Sequence, residues 1–548
     1  MNKMKKTVSM MLAATVLTST ASLAACGGSS VPDTTDTLEI YVLDAGYGTK
    51  WCSDLIDLFK QQQWIKDKYP NLQIVFSYGD STTNVPENKL RAGETANTID
   101  LIFGTHLFEF ARQGELLDLT DCVYKKTVPG ENVTWEEKSN ASYNQCNKFN
   151  DPNDLDDTNG AKHYMTSWAG GMDSFVYNET ILQSFGWDVP NTTDELIEMC
   201  ELIKANKDAT NGKYNEGYSF LQSKTDYWCY LMPAWWAQYE GVENYENFWN
   251  GIHDGARTRD IFKQEGRLYS LEVMEELLNY DNGYLNPASF TYDFMPAQTS
   301  FLEGHGVFHA NGDWFDNEMR AIAQEIKQVN GSIDTFKIMR LPIISKLGQK
   351  LGITDEELSA VVDYVDGELT EVPALAGFEN NGKNSKGKTV QQVINTVRSA
   401  RQVVHSIGPY HNAVIPRYAT AKEAAADFLL FMATDIANES YIRSTGGAAL
   451  PFDYNIKEKN MDLYNQLSPL QQSRFDYFLD LDVYSLPTEK SYPLAQYGGL
   501  SAFVEGDFYA TFSMNGNTKT PKMYYDNTIN SWDDQKWANA LSKSGINN

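Results

Sequence analysis

Three short apolar runs near the start of the chain constrain its fold more than any other feature. They cover residues 38–43, 72–76 and 99–103, and each is followed by a loop and then by residues with helical spacing. Mostly apolar runs of this length are typical of parallel strands that are buried on both faces. The alternation of strand and helix therefore predicts an α/β fold that opens with a parallel sheet.

The loops after the first and third runs carry the first candidate ligand contacts. Ligands of open α/β sheets bind at the carboxyl ends of the strands. Asp44 and Tyr47 follow the first run, and His106 follows the third. An ordinary solvated loop is the alternative for each of these residues.

The first 37 residues predict a leader and a tether. Three lysines are followed by a short apolar run and by the sequence LAAC, which ends at Cys26. This order is typical of a signal peptide over residues 1–25. The final four residues resemble a bacterial lipobox, in which cleavage before the cysteine leaves its thiol to carry diacylglycerol, although a chance cysteine is the alternative. Residues 26–37 are small and polar, as expected of a flexible tether.

Charge limits the partners that the chain can have. Its net charge is −28, and removal of residues 1–25, which contain three lysines and no acid, makes it −31. A surface this acidic repels nucleic acid and anionic lipid. We therefore expect no nucleic-acid partner, and attachment to the membrane through the lipid at Cys26 alone. No later run is long enough to span a bilayer, so the fold should lie on the extracytoplasmic face of the cell membrane.

Cysteine spacing gives no sign of a metal site or of a dense disulfide framework. Five widely spaced cysteines follow Cys26, and none forms a Cys-x-x-Cys pair. One bridge between Cys122 and Cys146 or buried free thiols both fit this spacing. The acidic run at residues 151–157 departs from a calcium loop and favours a solvated surface loop. We expect neither a metal nor a cofactor.

A second candidate contact lies in the sequence TSFLEGHGVFHANGDWFDNEM, residues 299–319. The pattern predicts a buried strand at residues 306–308, a turn, and a helix that opens at Trp314. Asp313 and Trp314 place an acid beside a flat apolar ring, which suits the hydroxyls and the C–H face of a sugar. The alternative is a core tryptophan that follows a helix N-cap.

Several segments together resemble the extracellular solute-binding proteins of carbohydrate ABC importers, the family of the maltose-binding protein. The sequence HYMTSWAGGMDSFVYNETILQSFGW at residues 163–187 is similar to a strand that crosses between two lobes and the helix that follows. The turn at residues 311–314 resembles one that carries a sugar-stacking tryptophan. Residues 189–196 resemble the family's cap of the next helix, in which Thr192 or Thr193 would accept hydrogen bonds from the amides of the first turn. Further similar segments lie, in the family's order, at residues 98–104, 339–342, 424–432 and 446–451. The resemblance spans most of residues 36–455.

The resemblance implies a two-lobe, type II periplasmic-binding-protein-like fold with a ligand cleft between lobes that hinge strands join. It places residues 38–166 and 346–434 in an N-terminal lobe, with residues 346–405 as an insertion. Residues 167–345 and 435–548 would form the C-terminal lobe. The implied function is that of a monomeric receptor that binds an oligosaccharide and delivers it to the permease subunits of an ABC transporter.

The resemblance also implies further ligand contacts. The sequence QSKTDYWCYLMPAWWAQYE at residues 222–240 is similar to a segment that supplies an acid and an aromatic ring, here Asp226 and Tyr227 or Trp228. Two further residues, Trp168 and Tyr410, are candidates as well. Gly104 and Leu107 stand where maltose-binding proteins have an aromatic ring and an acid, so maltose itself is not the expected ligand.

Two functions from other classes compete with the receptor. A surface glycoside hydrolase would need two carboxylates that face each other across the sugar, and acids are abundant enough to offer such a pair. A lipoprotein adhesin would more often contain repeats, and the sequence shows none. No nucleophile elbow, phosphate loop or metal motif supports catalysis. We therefore predict a binding protein and no enzyme.

Overall fold

The computed structural model describes residues 36–80, 84–93, 98–149, 160–206, 217–223, 227–378, 382–480, 483–486, 489–504 and 508–546. The predicted signal peptide, Cys26, nearly all of the tether, the acidic run at residues 151–157 and Asp226 lie outside these ranges. No helix among the described residues is long and apolar enough to cross a membrane.

The strands lie mostly in the first half of the chain. They are β1 Thr37–Leu43, β2 Gln73–Gly79, β3 Leu101–Thr105, β4 Lys148–Phe149, β5 Lys162–His163, β6 Thr166–Ser167, β7 Asp173–Asn178, β8 Ile252–His253, β9 Ala256–Arg257, β10 Phe308–Gly312, β11 Phe336–Ile338, β12 Val403–Val404, β13 His411–Val414 and β14 Tyr484–Ser485.

Helices fill most of the space between the strands and cover both sheets. The first twelve are α1 Lys50–Gln61, α2 Gln63–Lys68, α3 Val85–Ala92, α4 Phe108–Arg112, α5 Trp135–Lys138, α6 Ala141–Cys146, α7 Glu179–Phe185, α8 Thr193–Ala205, α9 Leu231–Glu240, α10 Val242–Asn250, α11 Glu265–Leu278 and α12 Phe294–Leu302.

The remaining helices make up most of the second half of the chain. They are α13 Phe315–Asn330, α14 Lys346–Leu351, α15 Asp355–Asp366, α16 Val390–Gln402, α17 Lys422–Met432, α18 Asp435–Thr445, α19 Ile456–Lys459, α20 Met461–Gln466, α21 Pro469–Asp480, α22 Pro493–Gln496, α23 Phe508–Phe512, α24 Pro521–Asn530 and α25 Asp534–Lys543.

The first lobe is built on a five-stranded sheet with the order β2-β1-β3-β13-β6. β1 pairs in parallel with β2 and β3, whereas β13 runs antiparallel to β3 and β6. Alternate residues of β3 face opposite cores: Phe103 packs with Trp51, and Ile102 packs with Phe108. The three predicted strands are therefore present, with ends shifted by one to three residues. β1 and β3 are buried as their sequences indicate, whereas β2 lies at the edge of the sheet with Val75 and Tyr78 exposed, so the expectation that this strand is buried on both faces is wrong.

The second lobe contains a three-stranded antiparallel sheet with the order β10-β7-β11. Its core gathers large rings from helices as well as strands, among them Phe175, Trp235 and Phe308. β10 ends at Gly312, so the residues expected to form a turn after a strand at 306–308 are the last residues of the strand itself.

Residues 346–405 pack differently from the lobe assignment that their position in the sequence suggested. Their helices α14, α15 and α16 bury Leu347, Leu358 and Val397 in the same core as Phe175. Conversely, Tyr441 of α18, which was assigned to the C-terminal lobe, packs in the core of the first lobe. α14 and α16 pack on α9, and α15 packs on α14 and α16. The periodicity of a helix shows that it has an apolar face but not which distant helix that face will contact.

The backbone passes between the two sheets more than once. It leaves β6 of the first sheet and enters β7 of the second through residues 168–172. It returns to β13 of the first sheet through residues 405–410, directly after β12, which pairs with β14 in a separate two-stranded sheet and packs in the core of the second lobe. This return lies well after residues 345–346, where the resemblance places the lobe boundary. The functional side chains described below sit on or beside these two crossings.

Two local predictions are settled by side-chain contacts. The Thr192 hydroxyl accepts a hydrogen bond from the Glu195 amide and so caps α8, as the sequence indicates. Cys122 and Cys146 are not joined to each other. Each thiol instead donates to the backbone carbonyl four residues before it, that of Asp118 or Ser142.

Candidate functional site

The loop after β1 meets the start of α13 where the two sheets face each other. The Tyr47 hydroxyl donates a hydrogen bond to Asp313 Oδ1 at 3.2 Å. Asn317 Nδ2 donates to the Gly46 carbonyl oxygen at 2.6 Å. Tyr47 follows a strand of the first sheet and Asp313 follows a strand of the second, so these bonds connect the two lobes directly.

The side chain of Asp313 is fully buried at this contact. Arg474 Nε of α21 donates to Asp313 Oδ2 at 3.2 Å, and Gln471 of the same helix donates to the Asp313 backbone carbonyl at 2.7 Å. Burial raises the pKa of Asp313 to about 6, since Arg474 and Tyr47 only partly offset the lost hydration and Asp173 adds repulsion.

Four polar side chains lie around this carboxylate. Burial raises the pKa of Tyr47 well above its ordinary value, and four neighbours add to the rise: Asp313, Tyr441, Asp173 and Tyr143. The Tyr143 hydroxyl donates to the Gly171 carbonyl oxygen, a Cβ atom on Gly171 would lie 2.7 Å from Asp313 Oδ1, and the Tyr441 ring lies 5.3 Å from Trp51. We call these five residues, together with Arg474, the interlobe cluster.

Asp173 forms a second buried hydrogen-bonded pair of the cluster, with His405. Its Oδ2 lies 2.5 Å from His405 Nδ1, and the ring of Tyr230 stacks on His405 at 5.1 Å and 17°. Burial raises the pKa of Asp173, and the contact with His405 opposes that rise. Both residues flank the chain crossings at residues 168–172 and 405–410, so the pair ties the crossings together.

Aromatic rings form one wall of the cluster. Trp168 is fully buried and its Nε1 donates to the Gly104 carbonyl oxygen at 2.9 Å. Its ring stacks on Trp51 at 5.2 Å and meets the edge of His411 at 4.7 Å. Tyr47 also contacts Trp168, at 6.1 Å. Burial lowers the pKa of His411 to about 4, so this ring is neutral near pH 7.

Trp314 lies against the cluster with only 5% of its surface exposed. Its ring meets the edges of Tyr227 at 6.2 Å and Tyr230 at 6.4 Å. A Cβ atom on Gly312 would lie 1.8 Å from the indole Cζ3, so only glycine allows the ring to fold back over β10. This packing is what the alternative interpretation, a core tryptophan, leads one to expect. The stacking of Trp314 on a sugar stays a prediction.

Five of the predicted contacts lie away from the cluster or outside the described residues: Asp44, His106, Tyr410, Trp228 and Asp226. Asp44 is exposed on its loop. His106, also exposed, has a positive φ of 57° and packs its ring on Tyr410 at 4.6 Å. Trp228 is fully buried against Phe175 in the core of the second lobe, which is the packed-core alternative for this ring. Asp226 is not among the described residues.

Sequence reasoning brought Tyr47, Trp168, Asp313 and Trp314 into consideration and missed the rest of the cluster. Tyr441 and Arg474 lie on helices more than 100 residues beyond Asp313. Arg474 packs its guanidinium on the rings of Phe475 at 4.8 Å and Phe478 at 4.3 Å. In the sequence, Arg474 is a single arginine next to aromatic residues in an otherwise polar helix. That pattern does not distinguish a buried arginine from one on the surface.

The profile of bacterial extracellular solute-binding proteins matches residues 52–346, which is more than half of the chain. The chain belongs to this family. Its members are binding proteins, so the prediction of a receptor in place of a glycoside hydrolase is confirmed. Membership also fits a location outside the cytoplasm. No curated protein matches the chain in sequence.

Solved structures of sugar receptors have the same fold. A chitin oligosaccharide binding protein shares 15% identity with this solute-binding protein, at a TM-score of 0.52 over 92% of this chain and 99% of the other. A receptor in complex with raffinose shares 13%, with a TM-score of 0.52 and coverage of 91% and 99%. A substrate-binding protein from Listeria monocytogenes in complex with cycloalternan shares 12%, with 0.52, 93% and 99%. These likenesses confirm the two-lobe α/β fold.

Asp313→Asn should change how stability depends on pH. Because the pKa of Asp313 is raised to about 6, its carboxyl group favours the folded state most below about pH 4, and this contribution is lost as pH rises through 6. The loss amounts to about 3 kcal/mol. Denaturant unfolding of both proteins between pH 4 and 7 measures it, and we expect a difference that varies with pH. A constant difference over this range would contradict the raised pKa.

Trp314→Ala should lower stability markedly because it empties a nearly closed space. Removal of a buried tryptophan ring costs about 3–5 kcal/mol. Stacking on a sugar would add a loss of affinity of roughly thirty- to a hundredfold, since an indole face buries on the order of 100 Å² at about 25 cal/mol per Å². The unfolding free energy and the affinity per folded molecule are measured on the same variant. Unchanged affinity in the folded fraction would exclude stacking, and unchanged stability would exclude the core role.

Proposed function

We propose that this solute-binding protein is a lipid-anchored receptor that binds an oligosaccharide between its lobes and delivers it to an ABC transporter permease. The interlobe cluster is the binding site in this proposal. The observation that carries it is the hydroxyl of Tyr441, which is fully buried and has no hydrogen-bond partner among the described residues. A buried hydroxyl without a partner is costly, and a sugar hydroxyl in the cleft would provide one.

The chemistry around Tyr441 suits a sugar. Burial raises the pKa of the Tyr441 hydroxyl, with Asp313 adding to the rise and Arg474 opposing it, and the Tyr441 ring lies 5.3 Å from Trp51. Gln471 Oε1 is a second buried acceptor without a partner in the described part of the chain. Carboxylate, amide and phenol groups beside the rings of Tyr47 and Trp168 offer acceptors for hydroxyls and flat faces for C–H groups.

A cavity adjoins the cluster and gives the proposed ligand room. Its volume is about 310 Å³, and its lining includes Tyr143, Gly170 and Arg474. This volume is at the lower end of the range for small-molecule sites. Separation of the lobes would enlarge it, since its lining joins Tyr143 of α6, which packs on β6 of the first sheet, to Arg474 of α21, which packs on β11 of the second. Closure of two lobes on the bound sugar would then capture it without any chemical step.

Delivery to a permease and attachment to the membrane complete the proposal. The solved relatives with raffinose and cycloalternan support a sugar as the ligand. The description of the Listeria protein as an ABC substrate-binding protein supports import as the process. The lipobox that ends at Cys26 supports attachment of the receptor to the outer face of the cell membrane. A monomer suffices for these steps.

Tyr441→Phe separates ligand binding from folding. Removal of a hydroxyl that has no protein partner should leave the unfolding free energy unchanged or slightly higher. Loss of a hydrogen bond to a sugar should weaken binding about tenfold, which corresponds to about 1.4 kcal/mol. Calorimetry with the glycan that binds most tightly in an array of neutral oligosaccharides measures the affinity.

Tyr245→Phe is the matched control, because this buried tyrosine lies on α10 beside Trp249, away from the cluster. It should leave the affinity unchanged. Equal affinities for wild type and Tyr441→Phe would remove Tyr441 from the site. The absence of any binding across the array would contradict the sugar receptor itself.

Cys26→Ser should abolish lipid attachment. The thiol is the group that would carry diacylglycerol, and a hydroxyl at this position does not accept it. Metabolic labelling with a radioactive fatty acid should mark the wild type and the control Cys229→Ser but leave Cys26→Ser unlabelled, either released into the medium or uncleaved. Label on the Cys26→Ser protein would show that the lipobox interpretation is wrong.

A further inference from the structure

A late segment of the chain runs beside the return crossing at residues 405–410. β14 pairs in parallel with β12, the strand that ends just before this crossing. At the other end of the crossing, the Tyr410 hydroxyl donates a hydrogen bond to Glu489 Oε2 at 2.5 Å. We call residues 489–497, which continue from this bond, the strap. The strap therefore lies alongside a backbone connection between the two lobes.

One side of the strap is anchored in the second lobe. Leu494 of α22 is fully buried in the same core as Phe175, and α22 packs on α10 of that lobe. Leu500 and Phe503, which follow the strap, are fully buried in this core as well. Detachment of this side would expose three large apolar side chains to water, so we expect it to stay in place when the lobes move.

The other side of the strap contacts the first lobe through Arg112 of α4. Arg112 Nη2 donates to the Ser491 carbonyl oxygen at 2.6 Å. The guanidinium also lies over two rings, that of Phe149 in the first lobe at 4.9 Å and that of Tyr497 in the strap at 5.2 Å. Tyr497 is 37% exposed. Polar and ring contacts at the surface thus hold this side, whereas apolar burial holds the other.

Arg112 has no counter-ion to strengthen its contact with the strap. No carboxylate pairs with its guanidinium in the described part of the chain, and Nη1 is buried there without a hydrogen-bond partner. Burial lowers the pKa of Arg112 to about 10. A buried cation that lacks a counter-ion is costly, and detachment from the strap would return it to water. This side of the strap is therefore the one that would separate first.

We propose that the strap opposes separation of the lobes, because it stays on the second lobe and would have to release Arg112 and Tyr410 when the lobes part. The inference rests on the lobe closure of the proposed function and concerns the range of that motion. A crossing alone bends through changes of φ and ψ in a few residues. The strap adds contacts that opening must break, so it favours the closed state and slows the release of a bound sugar.

Two substitutions in the full mature protein remove the contacts with the first lobe and keep the buried side chains of the strap. They are Arg112→Met and Glu489→Met, made singly and together. Small-angle scattering without sugar should give a larger radius of gyration for the double variant than for wild type, and a saturating sugar should restore the wild-type value. The tightest neutral glycan of the array should dissociate about tenfold faster from the double variant in stopped-flow measurements.

Stability separates this role from a purely structural one. Replacement of a buried cation that lacks a counter-ion by an apolar side chain should leave the unfolding free energy of Arg112→Met unchanged or higher. Arg259→Met is the matched control, because Arg259 also donates to a backbone carbonyl, that of Trp532, but within the second lobe. The neighbouring Phe262 and Trp532 both pack in the core of that lobe. This control should leave the radius of gyration and the dissociation rate unchanged.

Equal radii for wild type and the double variant without sugar would overturn the inference. Lower stability of Arg112→Met without a change in radius would do the same, because it would assign the strap a structural role alone. If the double variant does not fold, each single variant gives the same comparison. Failure of every neutral glycan to bind would contradict the proposed function, whereas the radius measured without sugar would still test the strap.

Discussion

The contact of Asp313 with Tyr47 and Arg474 is the interaction on which the arrangement of the two lobes depends. It joins the end of β10 in the second sheet to the loop after β1 in the first and to the late helix α21. Burial of a carboxylate is costly unless hydrogen bonds and a counter-ion compensate it. The raised pKa of Asp313 shows that the compensation is incomplete. The contact therefore specifies how the lobes meet more than it stabilises them.

The sheets of the two lobes are buried in different ways. The first sheet has a core on each face, so that Phe103 and Ile102 of β3 point into different clusters. The second sheet has only three strands. α21 packs directly on β11, while α16 and α24 pack on helices α9 and α11 of the same core. The core of this lobe is therefore built largely from contacts between helices.

Parts of the fold that depend on local sequence were predictable. The strands around Leu101 and the cap at Thr192 follow from apolar runs and side-chain chemistry within a few residues. The turn that carries Asp313 and Trp314 was found because Gly312 and an acid–aromatic pair are adjacent in the sequence. Positions that depend on distant contacts were not predictable. Arg474 becomes a partner of Asp313 only after α21 docks, and α16 gives no indication of which lobe it covers.

A ligand stabilises a site of this kind only through bonds that the buried groups have not already formed with the protein. A ligand shifts an equilibrium between open and closed lobes by its differential affinity for the two states. In the structure, the Tyr441 hydroxyl and Gln471 Oε1 are buried without partners in the described part of the chain. If the lobe opening proposed above exposes both groups to water, a ligand that bonds to them removes a penalty specific to closure, and its binding energy is directed toward the closed state.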